Sequence, residues 1–208
     1  MRIALTRPEG QNEELASRLR ALGHEVVVRP LIAIEPLGDE PIDLDGYDWL
    51  IVTSVNAARE LRRRGRGRPR NVAAIGRATA EAFGGADLVA QVSTQEGLLA
   101  ALPRPAGRVL FAGAEGARRL LVDELRADFV PLYRTRTLRP DLPADVELTV
   151  LASPSAASSL AALGFTGPVV SIGPETTAAA RERGIEVVEE AAQHDLGGLV
   201  AAVRRASR

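Results

Sequence analysis

The sequence predicts an α/β protein built from two copies of one parallel-sheet unit. Two observations carry this prediction. Short apolar runs recur along the chain, each ending in small or polar residues and each followed by an amphipathic stretch. The segments also match one another in pairs, and the pairs come in the same order in both halves. The runs at 2–6 (RIALT), 48–53 (DWLIVT), 72–76 (VAAIG), 108–112 (RVLFA), 147–152 (ELTVLA) and 169–173 (VVSIG) have the composition of strands buried on both faces. Their alternation with helical stretches implies βαβ units. Shorter runs at 25–29, 86–90, 129–132 and 185–189 supply the remaining strands.

The internal match has four blocks. RIALTRPEG (2–10) pairs with RVLFAGAEG (108–116), and SVNAARELRRRG (54–65) with SPSAASSLAALG (153–164). AIGRATAEA (74–82) pairs with SIGPETTAA (171–179), and STQEGLLAAL (93–102) with HDLGGLVAAV (194–203). A shared order of blocks reads as two copies of one unit and hence two domains.

The remaining elements follow in chain order. A helix over 13–22 places Leu15, Leu19 and Leu22 on one face, and Gly23 stops it. PLIAIEPL (30–37) and PLYRTRTL (131–138) occupy the same place in each copy; both are extended and too short for helices, and they read as crossings between the domains. A helix over 118–125 brings Leu121 and Leu125 together, so these leucine stripes are core. The strand-to-helix loops Thr53-Ser54-Val55-Asn56, Gly76-Arg77-Ala78-Thr79, Ser153-Pro154-Ser155 and Gly173-Pro174-Glu175-Thr176 each open a helix. Pro154 and Pro174 suit first-turn positions, where no N–H is needed.

Composition excludes several classes of function. With 46% hydrophobic residues and a net charge of -1, the chain is neither disordered nor drawn as a whole to nucleic acid or membrane. It has no cysteine, which removes disulfides, thiolate catalysis and cysteine-held metals. All 26 basic residues are arginine, which removes Schiff-base chemistry and any Walker A loop. His24 and His194 are isolated, so no metal site is expected. The arginines between Arg59 and Arg70 lack interleaved aromatics and read as a solvated helix end and loop, not a phosphate-backbone surface. Gly76 and Gly173 begin no complete GxGxxG fingerprint. The opening MRIALTRPEG reads as a strand and not a signal peptide, and no apolar run reaches the roughly 20 residues that span a bilayer. A cytoplasmic protein without membrane contact is expected, and a monomer, since no large exposed apolar stripe stands out.

LTRPEGQNEELASRLRALGHEVVVRPLIAIEPL, then LIVTSVNAA, AIGRATAEA, VPLYRTRT, LASPSAAS and SIGPETTAAARERG, in that order, resemble the uroporphyrinogen-III synthase family over nearly the whole chain. The resemblance implies two flavodoxin-like domains joined by a two-stranded crossing, with the active-site cleft between them. The boundaries it implies are 1–34 plus 138–208 for one domain and 35–137 for the inserted one. It also implies a substrate, hydroxymethylbilane, a linear tetrapyrrole with eight carboxylates. This is dehydrated and cyclised, with inversion of the last pyrrole ring, to uroporphyrinogen III. The implied enzyme is a lyase of heme biosynthesis that needs no cofactor, and the implied partner, besides the substrate, is the preceding enzyme of the pathway in transient contact.

Under that resemblance Tyr133, in PLYRTRT, matches the family tyrosine assigned as the acid that helps the hydroxyl leave. Thr79 and Thr176 match family threonines at helix starts, where they would bond substrate carboxylates. Arg7, opening the first helix beside Pro8, would meet a propionate. Ser54, Ser153 and Ser155 lie in helix-opening loops whose N–H groups and dipoles suit anions. Glu175 is expected to face solvent. The alternative is a non-catalytic two-domain small-molecule-binding or sensor protein, which the same architecture allows.

Overall fold

The computed structural model describes residues 1–208, the whole sequence. The chain divides into two compact units, one formed by Met1–Ala33 with Arg136–Arg208 and the other by Ile34–Thr135. No helix is long and apolar enough to cross a membrane.

The first unit contains β1 (Arg2–Leu5), α1 (Glu13–Ala21), β2 (Glu25–Val28) and the start of β3 (Ile32–Pro36). The second unit continues with β4 (Ile42–Asp43), β5 (Trp49–Val52), α2 (Val55–Arg64), β6 (Gly65–Arg66), β7 (Asn71–Ala74), α3 (Arg77–Phe83) and β8 (Leu88–Val89). It is completed by α4 (Gln95–Ala101), β9 (Val109–Ala114), α5 (Leu120–Leu125) and β10 (Asp128–Thr137), along which the chain passes back to the first unit. There follow β11 (Leu148–Leu151), α6 (Pro154–Ala161), β12 (Val169–Ser171), α7 (Pro174–Arg181), β13 (Val187–Glu190) and α8 (Leu196–Ala206).

In the first unit the strands run β13-β12-β11-β1-β2, all parallel. Taken in the unit's own sequence this is the order 2-1-3-4-5 of flavodoxin-like sheets. The second unit has β10-β9-β5-β7-β8, also parallel, with β3 beside β10 and a separate two-residue pair β4-β6. The spatial order is the same in both, with β9 and β10 standing where β1 and β2 stand in the first unit.

Each sheet is covered on both faces, because successive residues of its strands point to opposite sides. Along β11, Leu148 and Val150 pack with Leu15 and Leu19 of α1 and Leu199 and Val203 of α8. Leu151 packs on the other side with Ala157 and Leu160 of α6 and Ala180 of α7. In the second unit Leu50 and Val52 meet Ala57, Ala58 and Leu61 of α2, while Ile51 and Phe111 meet Leu98 of α4 and Leu121 of α5. Fully buried leucines such as Leu15 and Leu19 each contribute about 1.5–3 kcal/mol. Continuous apolar runs form these strands because neither face of such a sheet meets water.

Three details differ from expectation. Leu22 caps α1 and is 40% exposed, so the core stripe ends at Leu19. Arg64 is buried: its guanidinium donates to the carbonyls of Leu37 and Glu40, and residues 65–66 form β6, so the arginine-rich segment is not wholly solvated. Arg7 does not open a helix; α1 begins six residues later, with Asn12 as its N-cap.

Candidate functional site

The carboxyl edge of a parallel sheet is where loops turn into helix N-termini, and each predicted site residue stands at that edge of its own unit. In the second unit, Ser54 follows β5 and caps α2, its hydroxyl accepting the Ala57 N–H at 3.0 Å. Tyr133 lies on β10, within the stretch paired to the end of β9. Its phenol Oη is 2.9 Å from Ser54 Oγ, so the fold brings together two residues 79 positions apart. Tyr133 is buried, its ring packed in the same core cluster as Ala57 and Leu61. Burial raises its pKa above the ordinary tyrosine value, while hydrogen bonds with Ser54 and Asn56 pull in the opposite direction. The phenol is therefore neutral and protonated throughout the physiological range. Asn56 was visible in the sequence only as a loop residue; its bond to Tyr133 could be found only by folding.

Thr79 is the third residue of α3 and Thr176 the third of α7. Both are buried, yet neither hydroxyl belongs to the buried atoms left without a partner. The N-caps of these helices are Gly76 and Gly173, which offer no side chain to the first N–H groups. α3 and α7 thus begin uncapped, whereas α2 and α6 are capped by their own serines.

In the first unit, Ser153 follows β11 and caps α6, accepting from the Ala156 N–H at 3.2 Å. Its Oγ is also 3.2 Å from Ser155 Oγ. Arg7 lies in the loop after β1, with Nη1 donating to the Gln11 carbonyl at 2.7 Å. Glu175 is exposed, as expected for an acidic residue in the first turn of α7.

Sequence reasoning missed two further caps. Thr94 accepts from the Gly97 N–H at 3.0 Å at the start of α4, and Asp195 from the Gly198 N–H at 2.8 Å at the start of α8. They hold equivalent places in the internal match, and the cap-to-third-residue spacing was the signal that would have found them. Beside Thr94, the Arg118 guanidinium makes two bonds to Glu96, at 2.7 and 3.0 Å, and holds that carboxyl down at about 2.

The chemistry available is narrow. No group of histidine and acidic side chains is arranged to hold a metal ion. Hydroxyls, one buried phenol and helix-opening N–H groups can donate to carboxylates and to an oxygen leaving group. A cavity of about 280 Å³, lined by Arg104, Gly107, Glu124 and Arg126, lies where the chain enters β9 and β10, at the opposite edge of the sheet.

The chain is similar to known proteins. The family model described as Uroporphyrinogen-III synthase HemD matches residues 13–201. The chain is 27% identical to the uroporphyrinogen-III synthase of Synechococcus elongatus over an alignment of 257 residues, covering 99% of this chain and 95% of that protein. It is 26% identical over 149 residues to a putative uroporphyrinogen-III synthase of Methanocaldococcus jannaschii, covering 65% of this chain and 62% of the relative. Among solved structures, a mutant uroporphyrinogen III synthase from the extremely thermophilic bacterium Thermus thermophilus shares the fold with a TM-score of 0.67, at 18% identity, over 100% of this chain and 98% of that one. A match that spans most of the chain makes the assignment: the chain belongs to the uroporphyrinogen-III synthase family.

Proposed function

We propose that the protein is a lyase that dehydrates hydroxymethylbilane and closes it, with inversion of the terminal pyrrole ring, to uroporphyrinogen III. The observation that carries the reading is the buried phenol of Tyr133, within 2.9 Å of Ser54 Oγ at the carboxyl edge of its sheet. Loss of the bilane hydroxyl needs a proton donor near the leaving oxygen, and a neutral phenol can donate where a carboxylate would be ionised. Burial favours the neutral form further.

The substrate's carboxylates call for many donors and few fixed charges. Thr79, Thr176, Ser153 and Ser155, with the open N-terminus of α7, are donors of this kind. Arg7 adds one permanent cation, suited to a propionate. The reaction is then chiefly one of holding a flexible chain in a single bent conformation, so that ring closure follows inversion. Uncontrolled closure yields the symmetric type I isomer, and the role of the protein is to direct the outcome as well as to speed it.

Tyr133→Phe tests the acid. It removes one oxygen and keeps the ring that packs in the core. The expected result is a fall in single-turnover rate of about a hundredfold, in the range of general-acid contributions, with product affinity nearly unchanged. Unchanged single-turnover kinetics would remove Tyr133 from the chemistry.

A further inference from the structure

Asn12 is 1% exposed, which is unusual for an amide at the surface end of a helix. Although it stands at the N-cap of α1, its side chain does not cap the helix. Its Nδ2 instead donates to the carbonyl of Arg7 at 2.9 Å and to that of Pro8 at 3.1 Å. Its Oδ1 is buried without a partner. A polar side chain that forgoes its helix cap and leaves an acceptor unsatisfied is spending stability on a particular loop shape. The same loop is tied twice more: Gln11 N–H donates to the Pro8 carbonyl at 3.1 Å, and Arg7 Nη1 to the Gln11 carbonyl at 2.7 Å.

The second unit supports this independently. In the internal match (2–10 with 108–116), continuing the register places Arg118 opposite Asn12. Arg118 also fixes the loop after the equivalent strand β9, through its two bonds to Glu96 and through Gln95 Nε2, which donates to the Arg118 carbonyl at 3.2 Å. Both units therefore clamp this loop at the same position by different chemistry. At the place of Arg7 the second unit has Gly113, so only the first unit carries an arginine at that position of the loop.

We infer that Asn12 is a positioning residue, whose amide locks the loop from Arg7 to Asn12 so that the Arg7 guanidinium is held ready for a substrate carboxylate. The inference rests on the proposed role of Arg7 in substrate binding. It requires the amide, since aspartate at this site would set a carboxylate against two carbonyl oxygens and expel the loop.

The test is a double-mutant cycle with freshly generated hydroxymethylbilane, measuring KM and kcat for the parent protein, Arg7→Ala, Asn12→Ser and the double variant. Serine keeps a good helix cap but cannot reach both carbonyls. The expected result is that Asn12→Ser raises KM about fivefold with kcat within twofold, and that the same change made on Arg7→Ala raises KM by less than twofold. An equal KM effect with and without Arg7, or a loss confined to kcat or to thermal stability, would overturn the inference. Where Asn12→Ser does not fold, Asn12→Thr, which also keeps a helix cap and cannot reach both carbonyls, takes its place, with the same expectation and the same contrary outcomes. If Arg7→Ala alone leaves KM unchanged, the binding role of Arg7 fails and this inference fails with it. If Arg7→Ala raises KM but the cycle is additive, only the role of Asn12 fails.

Discussion

Single side chains divide between those the core demands and those it does not. The ring of Tyr133 is needed by the cluster around Leu61 and Leu132, but its hydroxyl is not, since an apolar phenylalanine would fill the same space. Thr176 is buried as the third residue of α7. Thr176→Val keeps the shape and removes the donor. Its expected effect is a rise in KM of about tenfold, the worth of one hydrogen bond to a carboxylate, with little change in urea stability. An unchanged KM would count against that contact. Tyr133 also makes a prediction about pH. Its folded pKa is raised above the unfolded value near 10, so the folded state holds the proton more tightly. Its contribution to stability is complete below pH 10 and lost as pH rises from there toward the folded pKa. Tyr133→Phe should remove that part of the alkaline decline, measured as urea midpoints between about pH 9 and 11. An identical decline in both proteins would show that the phenol does not feel its burial. Ser54 was singled out in the sequence as a residue of a helix-opening loop, and Tyr133 and Thr176 through the family resemblance. Asn56 and Asn12 were not, because what sets them apart is a hydrogen bond fixed by residues distant in the chain or by an unusual loop shape.

At the scale of elements, the strands were readable because parallel sheets buried on both faces leave long apolar runs. The helices were readable through their stripes and caps. The pair β4-β6 left no trace, since two residues carry no period. Arg64 misled because its burial depends on the Leu37 and Glu40 carbonyls, which no local pattern announces. The starts of α4 and α8 show how closely the two copies agree. A Cβ on Gly97 would lie 2.3 Å from the Val92 carbonyl oxygen, and one on Gly198 would lie 1.8 Å from that of Gln193. Both glycines therefore permit the same close turn before a capped helix. Gly198→Ala must displace backbone, and the expected cost is about 2 kcal/mol, read as a lower urea midpoint. An unchanged midpoint would mean that the turn yields without strain.

At the scale of the whole molecule, one plan is used twice with the chain entering at different points. The first unit begins with β1, an interior strand between β2 and β11, and is completed only after the second unit has been made, so its sheet joins residues far apart in sequence. The repeated order of blocks gave two copies of one plan, and a discontinuous first domain was implied only by the family resemblance. The sequence alone did not say which strand would flank which, because β9 and β10 come last in their unit yet occupy the places of β1 and β2. Using one plan twice gives two carboxyl edges, each bearing serines or threonines at helix starts, and this supply of neutral donors suits a substrate with many carboxylates. The central claim is that the protein directs ring closure toward the inverted isomer. The most direct measurement supplies freshly generated hydroxymethylbilane, oxidises the products and separates the type I and type III porphyrins by chromatography. The account predicts type III in clear excess over a reaction without protein. Type I alone, from folded protein, would contradict it.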